Sequence, residues 1–216
     1  MNNPLLYATA LSPRFEREHF IRLCVGAWLL LSVVGLAWLF QYVSTPGAPS
    51  AAVTDWPANS AIERETGAQT LIMFVHPRCP CTRASLAELQ RVVAKSGGAI
   101  HPRIVFSLPV GAAEDWRHSE LRDSAGRVPG AVLIVDIDGS EASQFGAVIS
   151  GTTLLYDANG KLMFQGGITA GRGHQGDNAG EGAVVKLLRD QGRSCTEMPT
   201  YGCPIQSPVS KYQVSQ

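Results

Sequence analysis

The stretch His76-Pro-Arg78-Cys79-Pro-Cys81-Thr82-Arg83 carries the clearest capacity for chemistry, because it holds two thiols one residue apart. A thiolate is both a nucleophile and a soft metal ligand, and a second thiol close by can release a mixed disulfide formed by the first. A ring closed by Cys-x-Cys is tight and strained, and strain makes a disulfide easier to reduce. The pair therefore suits a labile exchanger better than a structural staple. Arg78 favours a charged sulfur beside it, and His76 can hold or release a proton near neutral pH. Cys79 is read as the attacking thiol and Cys81 as the resolving one, with the reverse order left open.

The flanking sequence indicates what positions these groups. Residues 71–75 form a continuous apolar run, as in a strand buried on both faces, and His76-Pro77 ends it. Beyond Pro80 the period changes: Leu86, Leu89 and Val93 fall on one helical face, and Gly97-Gly98 supply a stop. Cys79 is expected near the N-cap and Pro80 at the first helical position, where orphan N–H groups and the helix dipole stabilise a thiolate. Further strands are expected at 104–108 and 131–135, with a helix at 112–123 turning Trp116 and Leu121 inward and a short helix at 142–145. Such alternation implies βαβ crossovers and a mainly parallel sheet. Segments 152–156 and 161–165 flank Asp157-Ala-Asn-Gly160, a strong hairpin signal. A closing helix fits 180–190, with Asn178 and Glu181 at capping-box spacing.

Ahead of this domain, residues 23–43 contain no charged side chain over 21 positions. At about 1.5 Å per residue they reach roughly the 30 Å of a hydrocarbon core. Residues 21–43 are read as a transmembrane helix, Cys24 as a side chain within it, and Trp38 and Tyr42 as rings near its outer end. The alternative is a cleavable signal with a small-residue site at 48–51, although the apolar region is long for one. Arg14, Arg17 and Arg22 lie at the N-terminal side, and no Lys or Arg follows from 23 through 63. Positive charge stays inside, so residues 1–20 are expected in the cytoplasm and the globular part outside, in the periplasm of a bacterium. Residues 44–54 read as a Pro/Ala/Gly linker, 55–192 as the globular domain and 193–216 as a C-terminal tail.

Strand, turn, Cys-Pro-Cys and helix together resemble the active-site segment of the thioredoxin-like superfamily, specifically its membrane-tethered, extracytoplasmic thiol-disulfide oxidoreductases. The string His76-Pro-Arg-Cys-Pro-Cys-Thr-Arg-Ala-Ser-Leu86 is most similar to RedB-type thioredoxin-like proteins. The resemblance spans about residues 70–191 and implies an α/β thioredoxin-like fold: a βαβ half, a β-hairpin and a terminal helix around a central mixed sheet. It implies thiol-disulfide exchange with protein or small-molecule partners outside the cytoplasm. The family usually carries Cys-x-x-Cys, a cis-proline before the hairpin strand and a buried aspartate before the thiols. Here one residue is missing between the thiols, Gly151 stands between Ser150 and Thr152 at the proline position, and Met73 replaces the acid, leaving His76 to move protons.

Those departures keep other chemistries open. His76, Cys79 and Cys81 form an N/S set that selects Cu(I) or zinc. Some thioredoxin-fold proteins carry copper for oxidase assembly, and a remote histidine completes their site. His174, in the glycine-rich loop 166–178, is the candidate. A thiol peroxidase would need a hydroxyl and an arginine at the thiolate, for which Thr82, Arg83 or Arg172 are available. A non-catalytic adaptor, with the Cys79–Cys81 bridge only fixing the turn, is the remaining reading. In the tail, Cys195 and Cys203 are expected to form a structural disulfide; a relay exchanging with Cys79 and Cys81 is the alternative. His19, His101 and His118 have no thiol or acid pattern around them. The 216 residues are 45% apolar, enough for one core, and 18 basic residues balance 18 acidic ones. With no basic cluster there is no reason to invoke nucleic acid.

Overall fold

The computed structural model describes residues 13–97, 100–190 and 195–205. The chain divides into two units at Tyr42/Val43. The first contains helix α1 (Pro13–Ser44) up to that boundary. Within its segment Arg17–Ser44 the most apolar 18-residue window has a mean hydropathy of 2.3 and no buried side chain. It is long and apolar enough to cross a membrane, and a signal sequence would share those features.

The second unit runs β1 (Thr70–Val75), α2 (Thr82–Lys95), β2 (Arg103–Leu108), α3 (Glu114–Arg117), α4 (Glu120–Gly126), β3 (Val132–Ile137), α5 (Ser140–Gln144), β4 (Thr152–Tyr156), β5 (Leu162–Gly166), α6 (Ala179–Asp190) and β6 (Thr196–Glu197). One mixed sheet has the order β3-β2-β1-β4-β5-β6. β1, β2 and β3 are parallel, while β4 is antiparallel to both β1 and β5. This is the βαβ half, hairpin and closing helix expected from the sequence.

Period-two alternation in β1 explains its central place. Leu71, Met73 and Val75 face a core shared with Leu86, Leu89 and Val93 of α2 and Val184 of α6. Ile72 and Phe74 face the other core, with Phe145 and Tyr156. Trp56 meets the rings of Phe145 and Tyr156 edge-on at 5.1 and 5.2 Å, a favoured aromatic geometry. α6 is capped by the Asn178 side chain, which accepts the Glu181 N–H at 2.9 Å. The Glu181 carboxylate turns instead to Lys95 of α2, at 2.7 Å, so only half of the expected capping box forms.

Four expectations need correction. The N-cap of α2 is Cys81, with Cys79 and Pro80 in the preceding turn, because Thr82 N–H bonds back to the Cys79 carbonyl at 3.1 Å. The helix expected at 112–123 is two short helices, since His118 leaves helical geometry and the Ser119 hydroxyl caps α4 by accepting from Arg122 N–H. Residues 44–54 are not a free linker. Gly47 N–H bonds to Thr200 O at 2.8 Å, Leu162 N–H bonds to Thr54 O at 2.8 Å, and the Tyr156 hydroxyl donates to Val53 O at 3.0 Å, which ties this strap to the domain.

The fourth correction concerns the C-terminal segment, whose described part, 195–205, belongs to the domain. β6 adds to the sheet edge beside β5, and the chain then crosses Gly166 and Gly167. A Cβ at 166 would lie 2.1 Å from Met198 O, and one at 167 would lie 2.9 Å from Pro199 O. Only glycines admit the backbone this closely. The segment continues to an antiparallel bridge between Pro204 and Ile149.

Candidate thiol site

β1 ends at Val75 beneath the site, and the chain turns through His76–Pro80 into α2. Cys79 N–H donates to His76 O at 3.1 Å, which tightens the turn and brings Cys79 under the loop before β4. That loop is anchored by Gly151 N–H, which donates to Phe74 O at 2.8 Å. Gly151 has φ +96, and a Cβ there would lie 2.9 Å from the Ser85 hydroxyl, so backbone and space both require glycine. The peptide bonds include no cis bond among the described residues.

Ser150 links loop and turn. Its hydroxyl accepts His76 N–H at 2.9 Å and pairs with the Thr82 hydroxyl at 2.9 Å. Cys79 is 1% exposed and Cys81 8%. Burial pushes the Cys79 thiol up, but its hydrogen bonds outweigh that. They come from the backbone N–H and thiol of Cys203, the Thr82 hydroxyl and the Cys81 N–H, and together they hold Cys79 below the ordinary thiol range. If Thr82 donates to the sulfur, Ser150 must be the donor in the Ser150–Thr82 pair, since each hydroxyl has one hydrogen. Cys81 is shifted the opposite way: burial comes first, then the Cys79 charge and hydrogen bond, with Arg172 opposing them. The arrangement favours the thiolate at Cys79 over one at Cys81.

Cys203 was expected elsewhere. The predicted Cys195–Cys203 disulfide is not formed, and both cysteines are free thiols. They act on groups at opposite ends of the sheet. Cys195 acts on Tyr156, which pairs with Thr70 at the start of β1, whereas Cys203 bonds Cys79 beyond its end. The six residues of β1 separate these ends by roughly 17 Å at ~3.3 Å per residue. Burial, the hydrogen bond to Cys79 and the charges of Cys79 and Cys81 push the Cys203 thiol up to about 12.

Arg78 and His76 have different surroundings from those expected. The Arg78 guanidinium lies 4.2 Å from the centroid of the Trp116 ring, and the His76 ring packs edge-on against the same indole at 5.6 Å. His76 Nδ1 accepts Arg78 N–H at 3.2 Å, which leaves the ring hydrogen of the neutral form on Nε2. Burial and then the Arg78 charge lower the His76 pKa, and neither residue is among the main groups acting on the thiols. The cation acting on Cys81 and Cys203 is Arg172, whose side chain also donates to Gly202 O. Arg83 instead pairs with Glu120 at 2.9 Å on the surface.

His174 is exposed in its glycine-rich loop. Among the described residues no group of three or more His, Cys, Asp or Glu is placed to hold a metal ion, so the residues of the copper reading are not assembled into a ligand set. The sequence assigns Cys203 to a structural disulfide with Cys195, a relay being the alternative, and Arg172 only to the peroxidase variant. Their positions depend on contacts across about a hundred residues, for which Cys and Arg spacing carries no signal.

No protein-family model matches the chain. No curated protein matches it in sequence. Among solved structures, an uncharacterized conserved protein from Geobacillus kaustophilus superposes with a TM-score of 0.54 at 19% identity, over 78% of this chain and 93% of that one. A hypothetical protein from Sinorhizobium meliloti 1021 gives 0.53 at 20% identity, over 77% and 96%. A looser likeness, with a TM-score of 0.41 at 16% identity over 69% and 96%, is to the thioredoxin domain of a thiol-disulfide oxidoreductase from Bacteroides vulgatus. The chain thus shares its mixed α/β fold with the Geobacillus and Sinorhizobium proteins.

Proposed function

We propose that the protein is a membrane-anchored, extracytoplasmic thiol-disulfide oxidoreductase of the thioredoxin-like kind, allied to the RedB-type branch, with Cys79 as its nucleophile. The observation that carries this reading is the placing of three thiols, with Cys79 and Cys81 buried in the turn into α2 and Cys203 held over the facing loop by the Ser150 N–H bond to its carbonyl. There the surroundings lower the Cys79 pKa and raise those of Cys81 and Cys203. A thiolate attacks a partner disulfide, and the sulfur leaving that partner departs with the electron pair. Cys81 then attacks Cys79 Sγ, closing the Cys79–Cys81 bridge and releasing the second partner sulfur. The partner has gained two electrons and the protein has lost two. The apolar helix with arginines before it supports anchorage, with the domain on the oxidising side of the membrane.

A redox titration of the detergent-solubilised chain, read by alkylation trapping in glutathione buffers, tests the reading. A reversible two-electron couple involving Cys79 between about −120 and −270 mV supports exchange. Absence of any Cys79 disulfide or adduct at every poise would remove it.

One observation favours a second chemistry. The Thr82 hydroxyl lies at Cys79, as a thiol peroxidase requires, whereas the Arg172 guanidinium acts on the neighbouring Cys81 and Cys203 thiols rather than on Cys79 itself. In that reaction Cys79 takes the terminal oxygen of a hydroperoxide as a sulfenic acid, the alcohol leaves, and a second thiol closes the disulfide with loss of water. Hydroperoxide consumption that requires Cys79 distinguishes it.

A further inference from the structure

The segment 199–205 is docked by backbone hydrogen bonds onto the loop that faces the thiols. Ser150 N–H donates to Cys203 O at 2.8 Å and Ile205 N–H donates to Val148 O at 2.9 Å, the pattern of an added antiparallel strand. The Arg172 side chain donates to Gly202 O. Gly202 passes so close that a Cβ there would sit 1.9 Å from Ser150 O. The segment carries its thiol to the Cys79 sulfur, and Cys203 is the more exposed of the two. Position, backbone register and exposure all make Cys203 the outward neighbour of a buried nucleophile.

We infer that Cys203 is a third redox thiol of this site: it closes a Cys79–Cys203 disulfide, and the docked segment that bears it is a built-in partner governing access to Cys79. The inference rests on the exchange reading above and specifies its route. With Cys79 joined to a partner sulfur, Cys203 attacks Cys79 Sγ as its thiolate. The Cys79–partner bond breaks, the partner sulfur leaves with the electron pair and takes up the proton given up by Cys203, and a Cys79–Cys203 bond forms. Cys81 can then attack Cys79 Sγ in the same way, freeing Cys203 and leaving the Cys79–Cys81 bridge.

The order of events has an electrostatic basis. Burial does most to keep Cys203 protonated in the resting state, and the hydrogen bond to Cys79 and then that residue's charge add to it. Both vanish once Cys79 is covalently bound, while the Arg172 cation remains. Cys203 therefore ionises more readily once Cys79 has reacted. The C-x-C ring is also the more strained alternative, because the Cys79–Cys203 loop is long and imposes no small ring.

Full-length protein in detergent, oxidised with glutathione disulfide, quenched in acid and digested with trypsin, tests this. Cleavage after Arg78, Arg83 and Arg193 separates a peptide holding Cys79 and Cys81 from one holding Cys195 and Cys203. The expected result is a disulfide-linked pair of these peptides in the unmodified chain, retained in a Cys81→Ser, Cys195→Ser variant. Cys203→Ser is expected to lengthen the lifetime of a Cys79–glutathione adduct at least about tenfold when Cys81 is also Ser. Only an internal Cys79–Cys81 bridge in the unmodified chain, with a persistent Cys79 adduct and reduced Cys203 in Cys81→Ser, would overturn the inference and leave the exchange reading intact. Failure of Cys79 to form any adduct or disulfide would overturn both.

Discussion

Cys195 and Cys203 lie eight positions apart in one short segment and have little else in common. Cys195 enters β6 at the far end of the sheet, an exposed residue whose thiol is pushed up by partial burial of its sulfur and by Glu197. Cys203 is at the other end, bonded to Cys79 and facing Arg172. The strand β6 between them is only two residues long and parallel to β5, and the extended residues that follow it complete the crossing from one end of the sheet to the other. Topology rather than sequence distance decides which thiols meet.

The contrast is tested most severely by serine substitution. Cys79→Ser is expected to abolish disulfide exchange with a glutathionylated peptide, whereas Cys195→Ser leaves it unchanged; equal losses in both would dissolve the distinction between the two ends. Next in size is Gly202→Ala. Its Cβ collides with Ser150 O, and such overpacking costs about 1–3 kcal/mol, here released by undocking the segment. The melting temperature should fall and Cys79 should alkylate faster with iodoacetamide, because its cover has been lifted. A rate that stays put would mean that the segment does not limit access.

A smaller effect is expected in the pH dependence of alkylation. Cys79 reacts as though half-ionised below the ordinary thiol range, and Cys195 only at higher pH. Cys203→Ala removes one donor to the Cys79 thiolate, so the Cys79 midpoint rises, while Cys195→Ala leaves it in place. The smallest effect concerns His76. Burial and Arg78 depress its folded pKa below 6.5, so between the folded and unfolded values the unfolded chain binds more protons. Its contribution to stability is therefore complete above about pH 6.5 and is lost as pH falls through the folded value. Chemical denaturation at stepped pH should show this slope, flattened in His76→Gln.

How far the sequence disclosed all this depended on the range of the interaction. β1, α2 and the hairpin were legible because local periodicity and turn chemistry specify them, and the structure starts β1 at Thr70 and the hairpin strand β4 at Thr152. Cys79 and Cys81 were conspicuous from spacing alone. The break at His118 is hidden if 112–123 is taken as one helix, although Trp116 and Leu121, five apart, lie about 140° round such a helix, and Ser119 is a good N-cap residue. Residues 44–54 have a linker's composition, but backbone hydrogen bonds dock them and composition does not report these. Arg172 and Cys203 were obscure for the same reason: each meets the thiols through contacts distant in sequence.

The path of the C-terminal segment leaves a record in the sequence. Gly166, Gly167 and Gly202 each stand where a side chain would strike backbone of the docked chain or of its seat. Homologues that keep the segment in place are expected to need glycine at all three, together with the arginine that grips Gly202 O. In lineages that have lost the segment, positions 166 and 167 are released from that constraint. These positions are therefore expected to covary, which would let docked and undocked members be told apart from aligned sequences.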